Sequence, residues 1–174
     1  GGGFTSWDVA HNWIRHLPYA SVCTAETQAY RNLVVDCEFH AFSDFGRRAQ
    51  DPDWNTIATH LNPYREWIGA QIRVDAYGYY AAGDPGFAAE LAWRDARISH
   101  TKNGIYGAMF CAAMIAASFA TQDPQRIVLA GLAQIPRDSR LAGAIRSALA
   151  WTGRNGCEPE LHEQAFAWMQ AEFG

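Results

Sequence analysis

The stretch Asn103-Gly104-Ile105-Tyr106-Gly107-Ala108-Met109-Phe110-Cys111-Ala112-Ala113-Met114-Ile115-Ala116-Ala117-Ser118-Phe119-Ala120 decides the fold. It carries no charge and is apolar on nearly every face, so as a helix it has to be enclosed by other helices. Its longest nearly apolar run, 108–120, stops short of the roughly 18 residues that a membrane span needs. The reading is a central core helix. Outward from it, three starts share one pattern: Asp51-Pro52, Asp84-Pro85 and Asp123-Pro124. The aspartate accepts from orphan amides at a helix start, and proline in the first turn gives up no hydrogen bond there. Helices are therefore expected over 51–60, 84–99 and 123–135. A further helix capped at Thr5 or Ser6 carries Trp7, Ala10, Ile14 and Leu17 and stops at Pro18; another begins at Thr24 and runs through Leu33. After Asp138 or Ser139, Leu141, Ile145, Ala148 and Leu149 form a stripe that Gly153 is expected to end. After Pro159, Leu161, Ala165, Trp168 and Met169 form the last. Residues 36–50 lose periodicity and read as a loop or insertion. No run alternates apolar and polar residues over strand length, and no internal repeat is visible, so the class is all-α.

The 174 residues are 49% hydrophobic and 18% charged, which fits one domain with a sizeable core. A net charge of -4 without a basic run argues against a protein that coats nucleic acid or an anionic membrane. Cys23, Cys37, Cys111 and Cys157 lie far apart with no C-x-x-C pair. That spacing supports neither a zinc site nor a disulfide scaffold, and reduced thiols in a cytoplasm are the default. The opening Gly1-Gly2-Gly3-Phe4 has neither the basic nor the apolar region of a signal peptide.

Two segments carry candidate chemistry. In residues 62–73, Pro63 holds Asn62 out of the helical region, and Gly69-Ala70 offers backbone amides at a helix start, where an anion such as a phosphate is favoured. A tight helix crossing explains the same small residues. In residues 96–108, His100 falls at the junction of two helices between Ser99 and Thr101, where an imidazole hydrogen-bonds a ligand, shuttles a proton, or satisfies helix-end carbonyls. Tyr106 borders the same region. Asp95 shares a helix face with Leu91, Ala92 and Ile98, and a buried carboxylate there needs a partner, more simply an arginine than a substrate. Tyr77-Gly78-Tyr79-Tyr80 reads as packing.

Together these segments resemble the ADP-ribosylglycohydrolase family, which includes the dinitrogenase reductase-activating glycohydrolases. Many members carry G-N-G-x-x-M-R, followed by a T-H segment that leads into an N-G-A helix. Gly69-Ala70-Gln71-Ile72-Arg73 matches the second half of the first motif; Ser99-His100 with Asn103-Gly104 and Gly107-Ala108 matches the second. The linking Asp84-Pro85 and Ala88-Ala89-Glu90-Leu91-Ala92 keep the family's spacing, and Leu17-Pro18, Thr24-Ala25-Glu26 and Ala29-Tyr30-Arg31-Asn32-Leu33 resemble one bacterial branch. The similarity is strongest over 62–146. Trp67 and Ile68 stand where many members have Gly and Asn.

The resemblance implies a compact, all-α, multi-helix orthogonal bundle that cleaves an ADP-ribosyl glycosidic bond with two Mg²⁺ or Mn²⁺ ions. It implies that Gly69, Ala70 and Gln71 line the phosphate and distal-ribose side of an ADP-ribose cleft, that His100 faces the same ligand, and that Arg73 props the loop. The partner would be an ADP-ribosylated protein or small molecule in the cytoplasm, with no nucleic acid and no membrane. The family's metal motifs, an early G-D-x-x-G and T-D-D and a late D-T-D, do not occur, so no metal ligand is assigned. Gly83-Asp84-Pro85-Gly86 imitates the first but is better read as a helix cap. The expectation is that residues 1–174 form one helical domain, the incomplete central part of a longer enzyme, inactive alone. The alternatives are a non-catalytic ADP-ribose or nucleotide-binding module and a helical interaction domain.

Overall fold

The computed structural model describes residues 2–36, 52–156 and 158–174. Their regular elements are helices: α1 Ser6–His16, α2 Thr24–Asp36, α3 Trp54–Thr59, α4 Asp75–Tyr80, α5 Pro85–Ala96, α6 Asn103–Ser118, α7 Pro124–Leu132, α8 Arg140–Asn155 and α9 His162–Phe173. Shorter 3-10 turns occupy Tyr19–Ser21, Ile68–Arg73 and Pro159–Leu161. The all-α class holds among the described residues. The loop read over 36–50 lies, from residue 37 on, outside them, as do Cys37 and Cys157.

Local chemistry sets most boundaries. Thr5 closes a reciprocal capping box with Asp8 at the start of α1. The side chains of Asp84 and Asp123 accept from first-turn amides of α5 and α7, with Pro85 and Pro124 in the first turn. Several boundaries differ from expectation, and the helices read over 84–99 and 123–135 end at Ala96 and Leu132. The helix read over 51–60 begins only at Trp54, because Asp53 accepts from the amides of Asn55 and Thr56 and fixes the start there. Helix α8 runs through Gly153 to Asn155 and stops at Gly156, whose φ of 91° takes the chain out of the helix. Glycine inside a helix lowers its stability without ending it.

Helix α6 is the centre. It packs on α4, α5, α7, α8 and the 3-10 turn at Ile68–Arg73. The core around it is built almost wholly of alanine: Ala70, Ala81, Ala88, Ala92, Ala96, Ala108, Ala112 and Ala116 with Val74. Small side chains bring helix backbones close together, so shape fit replaces bulk. A second core joins α1, α2 and α3 through Ala10, Trp13, Ala29, Leu33, Trp54 and Ile57, and Ile98 reaches into it from the segment after α5. The two cores therefore meet at residues 97–102, the segment that carries His100.

Polar side chains tie the halves together. Ser6 Oγ donates to the Arg94 carbonyl at 2.7 Å, and an Arg94 terminal nitrogen donates to the Phe4 carbonyl at 2.8 Å, fixing α1 to α5. Asn32 Nδ2 donates to the carbonyls of Ile57 and His60, both at 2.8 Å, fixing α2 to the end of α3. At the far end, the rings of Trp151 and Trp168 stack at 5.8 Å and join α9 to α8.

Gly78 shows how little space the helix crossings leave. A Cβ there would stand 2.5 Å from Cβ and Cγ2 of Ile115 and 3.0 Å from the Ala112 carbonyl. Ile115 is β-branched and Ala112 offers backbone, so neither yields easily. Gly78→Ala is expected to lower the urea midpoint by the equivalent of about 1–3 kcal/mol, overpacking outweighing alanine's helix propensity. An unchanged or raised midpoint contradicts the close α4–α6 packing.

Candidate functional site

The guanidinium of Arg73 closes the 3-10 turn and reaches across three elements. Its Nε donates to Asp95 Oδ2 of α5 at 2.6 Å, one terminal nitrogen pairs with Glu26 of α2, and the other donates to Ser99 Oγ at 3.0 Å. The Trp13 ring of α1 lies 5.1 Å from the guanidinium carbon. Asp95 is 3% exposed, and burial pushes its carboxyl up from the usual carboxylate range, against the charge and hydrogen bond of Arg73. The Tyr77 hydroxyl also bonds Asp95, and burial followed by the Asp95 charge raises that phenol. The arginine partner read for Asp95 is thus Arg73, and the group is structural.

Ser99 leads on to His100, with Oγ and Nδ1 2.8 Å apart. His100 is 1% exposed, and its Nε2 has no hydrogen-bond partner. Burial, and then the Arg73 charge, hold the imidazole pKa down to about 3, so the ring is neutral. Asn62, also 1% exposed, fixes the backbone behind it: Nδ2 donates to the carbonyls of Ala58 at 2.8 Å and Ser99 at 2.9 Å. Gly104 packs the first turn of α6 against the ring, since a Cβ there would stand 2.9 Å from His100 Cδ2 and 2.8 Å from the Arg65 carbonyl.

His100 lines a cavity of about 410 Å³ with Trp54 and Thr59 of α3, Trp93 and Arg97 at the end of α5, and Arg65 and Lys102. The cavity has an unusual donor balance. Among the described residues, Trp54 Nε1 is a second buried nitrogen without a partner, and no Asp or Glu lines the space. Arg97 stacks on Trp93 at 4.3 Å, and Arg65 donates to the Asn62 carbonyl at 2.9 Å. Lys102 sits at φ 46°, a left-handed conformation that costs a non-glycine residue on the order of 1–3 kcal/mol.

Of the residues singled out in the sequence, His100 reaches this cavity. Gly69, Ala70 and Gln71 are not among its lining residues. Gly69 lies against the Glu26 carboxylate, whose oxygens stand 2.6 and 2.9 Å from where a Cβ would be. Ala70 is fully buried in the alanine core. Gln71 hydrogen-bonds Cys111 and lies under Gly107. The link between the two segments is Arg73, through Glu26 on one side and Ser99 on the other. Trp54, Arg65, Arg97 and Lys102 were not singled out; their signals are weak ones, the i,i+4 pairs Trp54/Ala58 and Trp93/Arg97 on helix faces.

Among the described residues no three His, Cys, Asp or Glu side chains come together as a metal site. Glu26 and Asp95 are both paired with Arg73. The described residues do not fit the divalent ions that the resemblance implies, and no step is derived through them.

Two outcomes follow from this network. Arg73→Met leaves two largely buried carboxylates without their cation and is expected to cost roughly 3–5 kcal/mol in denaturant unfolding; a loss below about 1 kcal/mol would mean the network holds nothing. For His100 the folded pKa lies below the unfolded value of about 6.5. The unfolded chain therefore takes up a proton that the folded chain refuses. The stability is full above about pH 6.5 and is lost as pH falls toward 3, by about 1.4 kcal/mol per pH unit. The groups around the ring (Arg73, Asp95, Arg97, Arg65 and Lys102) stay in place in His100→Gln, so the wild type is expected to lose stability more steeply than that variant between about pH 6 and pH 4. Parallel curves would show a ring that titrates freely.

Compared with protein-family models, residues 2–173 match the model described as ADP-ribosylglycohydrolase. No curated protein and no solved structure gives a match. No helix among the described residues is long and apolar enough to cross a membrane. The family match spans nearly all of the sequence and agrees with the helical fold and with the residues quoted from both motifs, and the chain belongs to the ADP-ribosylglycohydrolase family.

Proposed function

We propose that this chain serves the hydrolysis of an ADP-ribosyl glycosidic bond, and that the cavity at His100 holds part of the ADP-ribose. One observation carries this reading: Trp54 and His100, each with a buried ring nitrogen that lacks a partner among the described residues, both line one cavity edged by Arg65, Arg97 and Lys102. Buried polar groups are nearly always paired, so two orphans in one cavity point to a ligand that brings acceptors. ADP-ribose is rich in phosphate, hydroxyl and ring acceptors, and the three cations suit its charge. Trp93 and Trp54 offer flat apolar surface for a base or a ribose.

The residues described here bind and orient. A neutral imidazole in this setting holds an oxygen in place, and the cations draw the anion in. The acceptor group carrying the ADP-ribose, on a protein or a small molecule, lies beyond these contacts. The turn at Gly69, Ala70 and Gln71, implied by the resemblance to flank the phosphates, stands in this reading behind Arg73 as support for Ser99 and His100. A second reading is favoured by the described cavity wall, which includes no Asp or Glu: the chain binds ADP-ribose and performs no chemistry.

Calorimetry of the chain with ADP-ribose, paired with an assay for ADP-ribose released from ADP-ribosylated protein with and without Mg²⁺, separates the two. Micromolar binding is expected, and Trp54→Phe, which keeps the ring and deletes the N–H, is expected to weaken it roughly three- to tenfold. Release of ADP-ribose supports the hydrolase; binding without release supports the second reading. No binding in either condition overturns both.

A further inference from the structure

We propose that Ser99 is a positioning residue: held by Arg73, its hydroxyl fixes His100 in the tautomer that carries its proton on Nε2, so the ring's unpartnered nitrogen is a hydrogen-bond donor.

The argument is a count of protons. A guanidinium only donates, so the 3.0 Å contact between Arg73 and Ser99 makes Ser99 Oγ an acceptor. The hydroxyl has one proton left, and the group within reach is His100 Nδ1 at 2.8 Å. Ser99 is fully buried, so no water takes that proton. If Ser99 donates to Nδ1, then Nδ1 is bare and the ring proton sits on Nε2. The reverse tautomer makes Ser99 accept twice and strands its own proton in the interior, while the bare Nε2 stays unpartnered as an acceptor. The imidazolium strands the same proton and adds a buried positive charge next to Arg73.

The surroundings prevent the ring from turning to escape this choice. Gly104 packs against the Cδ2 edge, and Asn62 pins the Ser99 carbonyl. The Arg73 guanidinium is itself held by Asp95 and Glu26, so the relay has a rigid origin. With Nε2 protonated, both orphan nitrogens of the cavity are donors, since an indole nitrogen only donates. The cavity then selects acceptor oxygens. In the proposed hydrolysis His100 binds an oxygen of ADP-ribose and does not act as a general base. This last step rests on the reading of the cavity as an ADP-ribose site; the tautomer does not.

The test is a two-bond proton–nitrogen NMR spectrum of the ¹⁵N-histidine-labelled 174-residue chain at neutral pH without ligand, with His100 assigned by its loss in His100→Gln. The expected pattern is one neutral tautomer protonated at Nε2. Ser99→Ala is expected to convert it to the averaged pattern of two exchanging tautomers, and Ser99→Thr, which restores a hydroxyl, to bring back the original. A wild-type ring protonated at Nδ1, or doubly protonated, overturns the proposal even if neither variant folds. A Ser99→Ala spectrum identical to wild type overturns the role of Ser99. With ADP-ribose as probe, Ser99→Ala is expected to weaken binding roughly three- to tenfold, and undiminished binding counts against the donor role. Absence of ADP-ribose binding by the wild type removes the ligand assignment and leaves the tautomer to be judged from the free-protein spectrum.

Discussion

A cation placed where only anions and a ring can surround it constrains the architecture of this protein more than any other group. Arg73 draws Glu26 of α2, Asp95 of α5, Ser99 and the ring of Trp13 of α1 onto one guanidinium. Each partner comes from a different part of the sequence, and each would be expensive to bury alone. Asp95, the most enclosed of them, stays in the interior because a second donor, Tyr77, shares the load. The planar fork of arginine matters here, since its donors sit on three separate nitrogens, whereas lysine would crowd the same partners around one. The two cores meet beside this group, so the helices of the first half are placed relative to α5 and α6 by a polar contact set inside an otherwise alanine-built interior.

The alanine core explains why polar contacts carry so much of that placement. Alanine buries little area, so each α6 crossing gains modestly from solvent exclusion and relies on close approach. Close approach is sensitive to any added atom, as the sites facing Gly78 and Gly104 show. Specificity of arrangement then comes from directional groups: Asn32 onto α3, Asn62 onto the end of α5, Ser6 onto Arg94. Such groups are satisfied in one arrangement and left unpaired in others.

Much of this fold was legible because its signals are local. Caps at Thr5, Asp84, Asp123 and Ser139 act within one turn, and the apolar faces of α6 follow from composition alone. Where two local signals competed, the sequence misled: Asp51-Pro52 looks like a start, yet Asp53 makes the cap, and Gly153 looks like a stop, yet Gly156 has the positive φ. The site was legible only in part for a different reason. His100 stands at a junction that any reading of helix ends finds, and an arginine partner for Asp95 follows from burial. Which arginine, and that the same one grips Ser99, depends on contacts 22 and 26 residues apart in sequence. The cavity wall is assembled from α3, α5 and the 62–67 loop, and no periodicity within one element announces that its free face will meet the others.

The cavity departs from the rules that govern the rest of the molecule, and it does so in several independent ways. Elsewhere polar side chains in the interior find partners; here Trp54 Nε1 and His100 Nε2 do not. Arg73 is flanked by two carboxylates; here Arg65, Arg97 and Lys102 border a space whose described wall residues include no Asp or Glu. Lys102, at the step from His100 into α6, holds a backbone conformation that glycine would adopt without strain, a feature that Thr24 and Leu61 share. Each departure lowers stability when considered alone, and a sequence free to relieve them has simple routes: phenylalanine for Trp54, glycine for Lys102. Two unpartnered donors and three cations around one space of about 410 Å³ favour a ligand with acceptor atoms and negative charge, as the proposed ADP-ribose has. Departures of this kind concentrate at functional sites, where the missing interactions are supplied on binding.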